Sequence, residues 1–177
     1  MITCYFILLF LPLKVKAQIG SAESQVNLIV RELMSVEIKQ STVLINMNLP
    51  SHYKYGNHSG IQSNHIKVTT TSDYVLSIST TSQNFTYQGL NSSLPVNTVH
   101  VEAFMGDVNP YFNAGDVTFN SNVSLNSTKV NLLSSHSSET SQSFDVNYVI
   151  PKNKVDRFLN IPAGGYNTTV IYTIIPN

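Results

Sequence analysis

Apolar and polar residues alternate along most of this 177-residue chain. Successive side chains of a strand point to opposite faces, so alternation with a period of two marks a strand with one buried face and one wet face. Val26, Leu28 and Val30, then Met34, Val36 and Ile38, fall on one face. Glu32 interrupts them, which predicts a bulge or a switch between sheets near residues 31–33. Val43, Ile45, Met47 and Leu49 predict a second strand. Ile66 and Val68 begin a third, and Tyr74, Leu76 and Ile78 make a fourth, joined to it by a short turn at Ser72 and Asp73.

The pattern continues with a short piece at Phe85 and Tyr87, then Val99, Val101, Ala103 and Met105. Val117, Phe119, Val123 and Leu125 follow with Ser121 in the gap, and Phe144, Val146, Tyr148 and Ile150 form the clearest run. Tyr166, Val170, Tyr172 and Ile174 close the chain, with Thr168 in the gap. One-sided alternation argues for antiparallel sheets, because strands buried on both faces read as continuous apolar runs. The expected fold is therefore all-β: an antiparallel, immunoglobulin-like β-sandwich of about eight or nine strands. A closed barrel is the structural alternative. One short helical crossing is expected near residues 151–160, where Val155, Phe158 and Leu159 have helical spacing behind Pro151. The run from Ile161 to Gly165 then turns the chain into its last strand.

Residues 1–17, MITCYFILLFLPLKVKA, have a different character. An apolar run from Cys4 to Leu13 precedes a small residue, Ala17, in the manner of a secretory signal peptide. The run is about half the roughly twenty residues needed to span a bilayer, so cleavage is expected rather than anchoring. The front end lacks a Lys or Arg, and Lys14 and Lys16 lie close to the cut, both departures from an ideal signal. Cleavage would leave residues 18–177 as a single β-sandwich domain, secreted or held at the cell surface and not integral to the membrane. Cys4, the one cysteine, would leave with the signal, and the chain has no tryptophan. No disulfide would then be available, and packing alone must hold the fold. Charged residues make up 11% of the chain, so Ser, Thr and Asn carry its polarity, a composition read as that of an exported bacterial protein.

Composition and motifs also narrow the function. Without Lys14 and Lys16, eight basic residues face ten acidic ones, and no basic stripe exists for nucleic acid. No serine sits in a G-x-S-x-G elbow. Glu102 and Asp107 are the nearest thing to a carboxylate pair, and a non-enzyme is expected. His52, His58 and His65 match no zinc spacing, and Asp107, Asn109 and Asp116 do not match a calcium loop. No metal or cofactor is expected. Asn57, Asn84, Asn91, Asn122, Asn126 and Asn167 each begin an N-x-S/T triplet, which a chain this rich in Asn, Ser and Thr generates readily.

Two binding features remain. Tyr111 and Phe112, flanked by Asn109 and Asn113, lie in the long loop 106–116 and are candidates for stacking on a sugar. Residues 25–38 alternate far enough to supply a strand exchanged between subunits, so the chain itself or other surface proteins are candidate partners by strand pairing.

The sequence FDVNYVIP at 144–151, a short crossing, and IPAGGYNTTVIYTIIP at 161–176 carry a resemblance. This stretch resembles the closing region of bacterial surface β-sandwich proteins, namely WxL-type and fimbrial-subunit-like domains, in which an A-G-x-Y turn leads into a final alternating strand. The resemblance is confined to the C-terminal region, and the absence of tryptophan removes the defining WxL signature. It implies architecture and surface location, not a binding residue. The expected role is structural, fimbria-like or adhesive; the alternative is a carbohydrate-binding module acting through the loop aromatics.

Overall fold

The computed structural model describes residues 24–107, 116–121, 123–136 and 141–177. The body of the protein is the unit Arg31–Asn177, and the preceding residues form a separate unit. The body is an all-β antiparallel sandwich. Its first sheet contains β1 (Met34–Ile38), β3 (Gln62–Thr70), β11 (Ser141–Pro151), β7 (His100–Met105) and β9 (Val123–Ser124), in that spatial order, with β2 (Gly56–His58) also pairing with β11. The second sheet runs β13 (Val170–Pro176), β4 (Tyr74–Thr80), β10 (Val130–Ser135), β8 (Val117–Phe119). A small third sheet joins β12 (Tyr166–Asn167), β5 (Asn84–Tyr87) and β6 (Leu90–Pro95).

Alternation does what the period requires. Phe144, Val146, Tyr148 and Ile150 of β11 are all buried, and the residues between them are partly exposed. From the facing sheet come Tyr74, Leu76 and Ile78, each at most 1% exposed. Contacts cross the core at several points. Phe119 meets Phe144 edge to face at 6.0 Å, and the Tyr74 hydroxyl donates to Gln142 Oε1. The short 3-10 helix Lys152–Phe158 crosses out of β11, as expected near 151–160, and buries Val155 and half-buries Phe158. Leu159 lies beyond it and is 49% exposed.

Several expected strands resolve differently. Val117 and Phe119 belong to one sheet and Val123 to the other, so a continuous alternation spans two strands that part company. Tyr166 likewise sits in the small sheet, apart from β13. Strand β10 carries adjacent Leu132 and Leu133, both fully buried, because the register with β4 shifts between Asn131 and Leu133. That bulge erases the period-two signature, so alternation gives no sign of this strand. Between the alternating runs that end at Leu49 and begin at Ile66, Pro50–Tyr55 forms a short helix, α1, started by a proline in its first turn. Gly56 then adopts φ 85°, and a Cβ there would lie 2.1 Å from the Ile150 carbonyl oxygen, so only glycine lets β2 approach β11.

The first two alternating runs depart most. Only residues 34–38 of the first run pair as a strand, with Glu32 just ahead of them, and Val26, Leu28 and Val30 lie outside it. Val43, Ile45 and Met47 keep their alternating burial and pack on the core, but residues 42–48 belong to no sheet.

Candidate functional site

The two sheets do not close along one side. Strand β1 is an edge of the first sheet and β13 an edge of the second. Beyond Ile38 the chain leaves the ladder, and a cleft of about 850 Å³ opens between residues 38–48 on one wall and residues 161–172 on the other. Val43, Ile45 and Met47 line the first wall, and Ile150, Phe158 and Leu125 are among the apolar residues at its base.

Both walls present backbone that has no strand partner among the described residues. β13 pairs with β4 on one side, and no described strand pairs with its other side. Residues 40–48 make no backbone–backbone hydrogen bond to each other or to another described strand. Side chains hold this wall in place instead. Asn57 Nδ2 donates to the Asn46 carbonyl, and the Tyr53 hydroxyl of α1 donates to the Met47 carbonyl at 2.7 Å. Thus α1 and β2 serve as a brace that keeps the wall extended while leaving its ladder positions open. On the opposite wall, Thr168 Oγ1 is buried with no hydrogen-bond partner among the described residues. An unpaired buried hydroxyl costs about 1–3 kcal/mol, so this wall has an unmet polar demand.

One end of the cleft is fixed by a polar chain. Gln40 Oε1 lies 2.7 Å from His65 Nδ1, His65 Nε2 lies 3.3 Å from the Tyr148 hydroxyl, and that hydroxyl lies 2.5 Å from the Tyr172 hydroxyl. One set of donors satisfies the whole chain: Tyr172 donates to Tyr148, Tyr148 donates to Nε2, and Nδ1–H donates to Gln40. This requires neutral His65, and burial indeed lowers its pKa. Burial pushes the Tyr148 hydroxyl up to about 12 despite its bond to Tyr172, and pushes Tyr172 well above the ordinary tyrosine value. Both phenols therefore stay protonated and serve as a bridge between the sheets, not as bases. His65 packs edge-on against both tyrosine rings, at 5.9 and 6.0 Å.

The other end is framed by the turn before β12. Tyr87 and Tyr166 stack at 5.0 Å, and their hydroxyls donate to the carbonyls of Ala163 and Pro162. Gly164 packs so closely beneath Tyr87 that a Cβ would lie 2.7 Å from the ring. This pair fixes the lip of the cleft in shape.

Among the sequence candidates, Tyr111, Phe112, Asn109 and Asn113 lie outside the described residues, as does the segment 1–17. The three histidines do not converge. His52 sits on α1, His58 on β2 bonds the Gly60 N–H, and His65 is bonded within the core. No group of His, Cys, Asp and Glu suited to a metal occurs among the described residues. Glu102 accepts from Asn147 and Asp107 from Asn64, so each carboxylate has a partner of its own. The cleft was invisible to motif reasoning because no motif builds it. Its signal in the sequence is an alternating run, residues 43–47, that looks like any other strand. Compared with models of known protein families and with curated proteins, the chain matches none.

Proposed function

We propose that this chain is a secreted or cell-surface, non-enzymatic β-sandwich protein with a structural, fimbria-like or adhesive role, exerted by accepting an extended strand into its open side. The observation that carries this reading is the cleft bounded by two backbone edges that lack strand partners among the described residues. Added strands bind through main-chain hydrogen bonds to a free edge and through alternate side chains seated in pockets. The cleft offers both: the outer edge of β13, and an apolar base under Val43, Ile45 and Met47. Buried tyrosines held protonated, and the carboxylates of Glu102 and Asp107 each hydrogen-bonded to an asparagine, support binding rather than catalysis.

The test is to append a strand of alternating Val and Thr after Asn177 through a flexible Gly/Ser linker, so that it can fold back along β13. A filled cleft raises Tm by about 5 °C or more, given that 1 kcal/mol is worth roughly 2–4 °C in a protein of this size. It also slows amide exchange along residues 170–176. An unchanged Tm with unchanged exchange would overturn the reading.

A further inference from the structure

We propose that the end of the sandwich formed by α1 and the crossing helix Lys152–Phe158 is a docking surface for an acidic polysaccharide, separate from the cleft. α1 packs against the crossing helix just beyond the ladder of β2 with β11. Outside residues 1–17 the chain has eight Lys and Arg, and four of them, Lys54, Lys152, Lys154 and Arg157, lie on these two short elements. Asp156 is the one acid there, so the two elements carry a net +3, while the rest of residues 18–177 carries four cations against nine acids. Asp73 and Asp107 sit at the far end of the sandwich, where Thr69 faces Ser141 and Met105 faces Phe144 across the ladders. A chain that is slightly acidic as a whole thus has one basic end.

The four cations remain available to a partner. None makes an ion pair or a side-chain hydrogen bond among the described residues. Lys54, Lys152 and Arg157 are exposed, and Lys154 is partly so. In a 3-10 helix, side chains three apart eclipse, so Lys154 and Arg157 share one face and Asp156 stands on another with Asn153. The third face turns inward, where Val155 is buried and Phe158 half-buried. The charge of Lys154 is felt at His100, whose pKa is lowered by burial first and then by this ammonium, against the opposing pull of Glu102.

A repeating anion suits this end better than a small one. None of the four cations lines the cleft, and an exposed ion pair is worth only about 0–1 kcal/mol. Charges repeated along a polymer engage several such cations at once, and the contacts reinforce each other. Tyr55 selects sugar among the polyanions. Its ring is 60% exposed, and Lys54 Nζ lies 5.0 Å from the ring centre. An exposed ring beside a cation meets the two demands of a uronate unit: an apolar sugar face and a carboxylate. Ser51 and Asn153, exposed on the same two elements, offer a hydroxyl and an amide to sugar hydroxyls. The choice of polysaccharide over nucleic acid rests also on the secreted or cell-surface location proposed above; the basic end itself does not.

The full chain, run by affinity electrophoresis in gels containing alginate, a polyuronate, is expected to bind at low salt and to be released as salt is raised. Lys152→Glu with Arg157→Glu is expected to keep the Tm and weaken binding about tenfold or more. Lys39→Glu with Lys129→Glu makes the same change in net charge at exposed sites elsewhere, and is expected to weaken it less than about threefold. Tyr55→Ala weakens alginate binding about threefold, and leaves binding of inorganic polyphosphate, which has no sugar ring, unchanged. Failure to bind alginate at low salt would overturn the proposal. So would equal losses in the two double variants, because net charge alone would then explain them, or equal losses of alginate and polyphosphate in Tyr55→Ala. Tighter binding of a DNA duplex, or of phosphatidylglycerol vesicles, than of alginate would make a nucleic acid or a membrane the partner and overturn the polysaccharide. If the appended Val/Thr strand raises Tm while alginate does not bind, the cleft reading stands and this surface falls; the reverse result upholds this surface and removes the cleft.

Discussion

Strand β11 and the wall at residues 42–48 carry nearly the same pattern and have opposite fates. Both alternate apolar and polar residues, and both turn the apolar ones toward the core. β11 is flanked by β3 on one side and β7 on the other, and its apolar residues are all but inaccessible. The wall has no ladder on either side among the described strands, and Val43, Ile45 and Met47 are only half-buried. Alternation therefore reports which way side chains face. It does not report whether the backbone finds a partner, which depends on where other strands lie.

The comparison breaks most easily at β11. Val146→Asp places an unpaired charge where no exposure remains, and is expected to cost about 4 kcal/mol or more and to abolish cooperative unfolding near physiological temperature. A thermal scan with near-native Tm would refute the burial of that face. Ile45→Ala on the wall is expected to cost much less, about 1–2 kcal/mol, because the side chain is only partly removed from water. A cost as large as that in β11 would mean that the wall is part of the closed core and the cleft is not open in solution.

Two further changes sharpen the account of the polar chain at the end of the cleft. Tyr172→Phe removes one bridging hydroxyl between the sheets and is expected to cost about 1 kcal/mol in a denaturant titration. A neutral substitution would show that the bridge contributes nothing beyond ring packing. The smallest effect is in pH. The unfolded chain protonates His65 at about 6.5, whereas the folded chain takes up that proton only at lower pH. Its contribution to stability is therefore complete above 6.5 and declines as pH falls from there toward the folded value. His65→Gln should flatten the fall in Tm between pH 7 and pH 5. The flattening will be partial, because burial and the charge of Lys154 also lower the pKa of His100, with the same sign. A slope unchanged by His65→Gln would remove His65 as its source.

Much of the fold was legible in the sequence, strand by strand. The inward apolar residues of β3, β4, β7 and β11 follow from period two, but buried His65, next to Ile66 in β3, and buried Ser77 and Ser79 in β4 do not. The crossing at 152–158 follows from its helical spacing and the proline ahead of it. What escaped has specific causes. β10 hid behind the paired leucines of a bulge. β6, reading LNSSLP, buries only one side chain and exists because β5 folds back on it. The site was less legible. The loop residues singled out for sugar binding lie outside the described structure, whereas the cleft is built from side chains with no chemical signature. Its polar clamp joins residues 40, 65, 148 and 172, drawn from four segments far apart along the chain.

The sequence by itself determined that this protein is built mostly of strands, and which apolar residues turn inward in those that keep a regular alternation, because side-chain direction is a local property of extended backbone. Only the tertiary structure decided which of those strands pair. Backbone hydrogen bonds between strands are made at long range, so an identical pattern leaves β11 closed on both sides and residues 42–48 with an open edge beside β13.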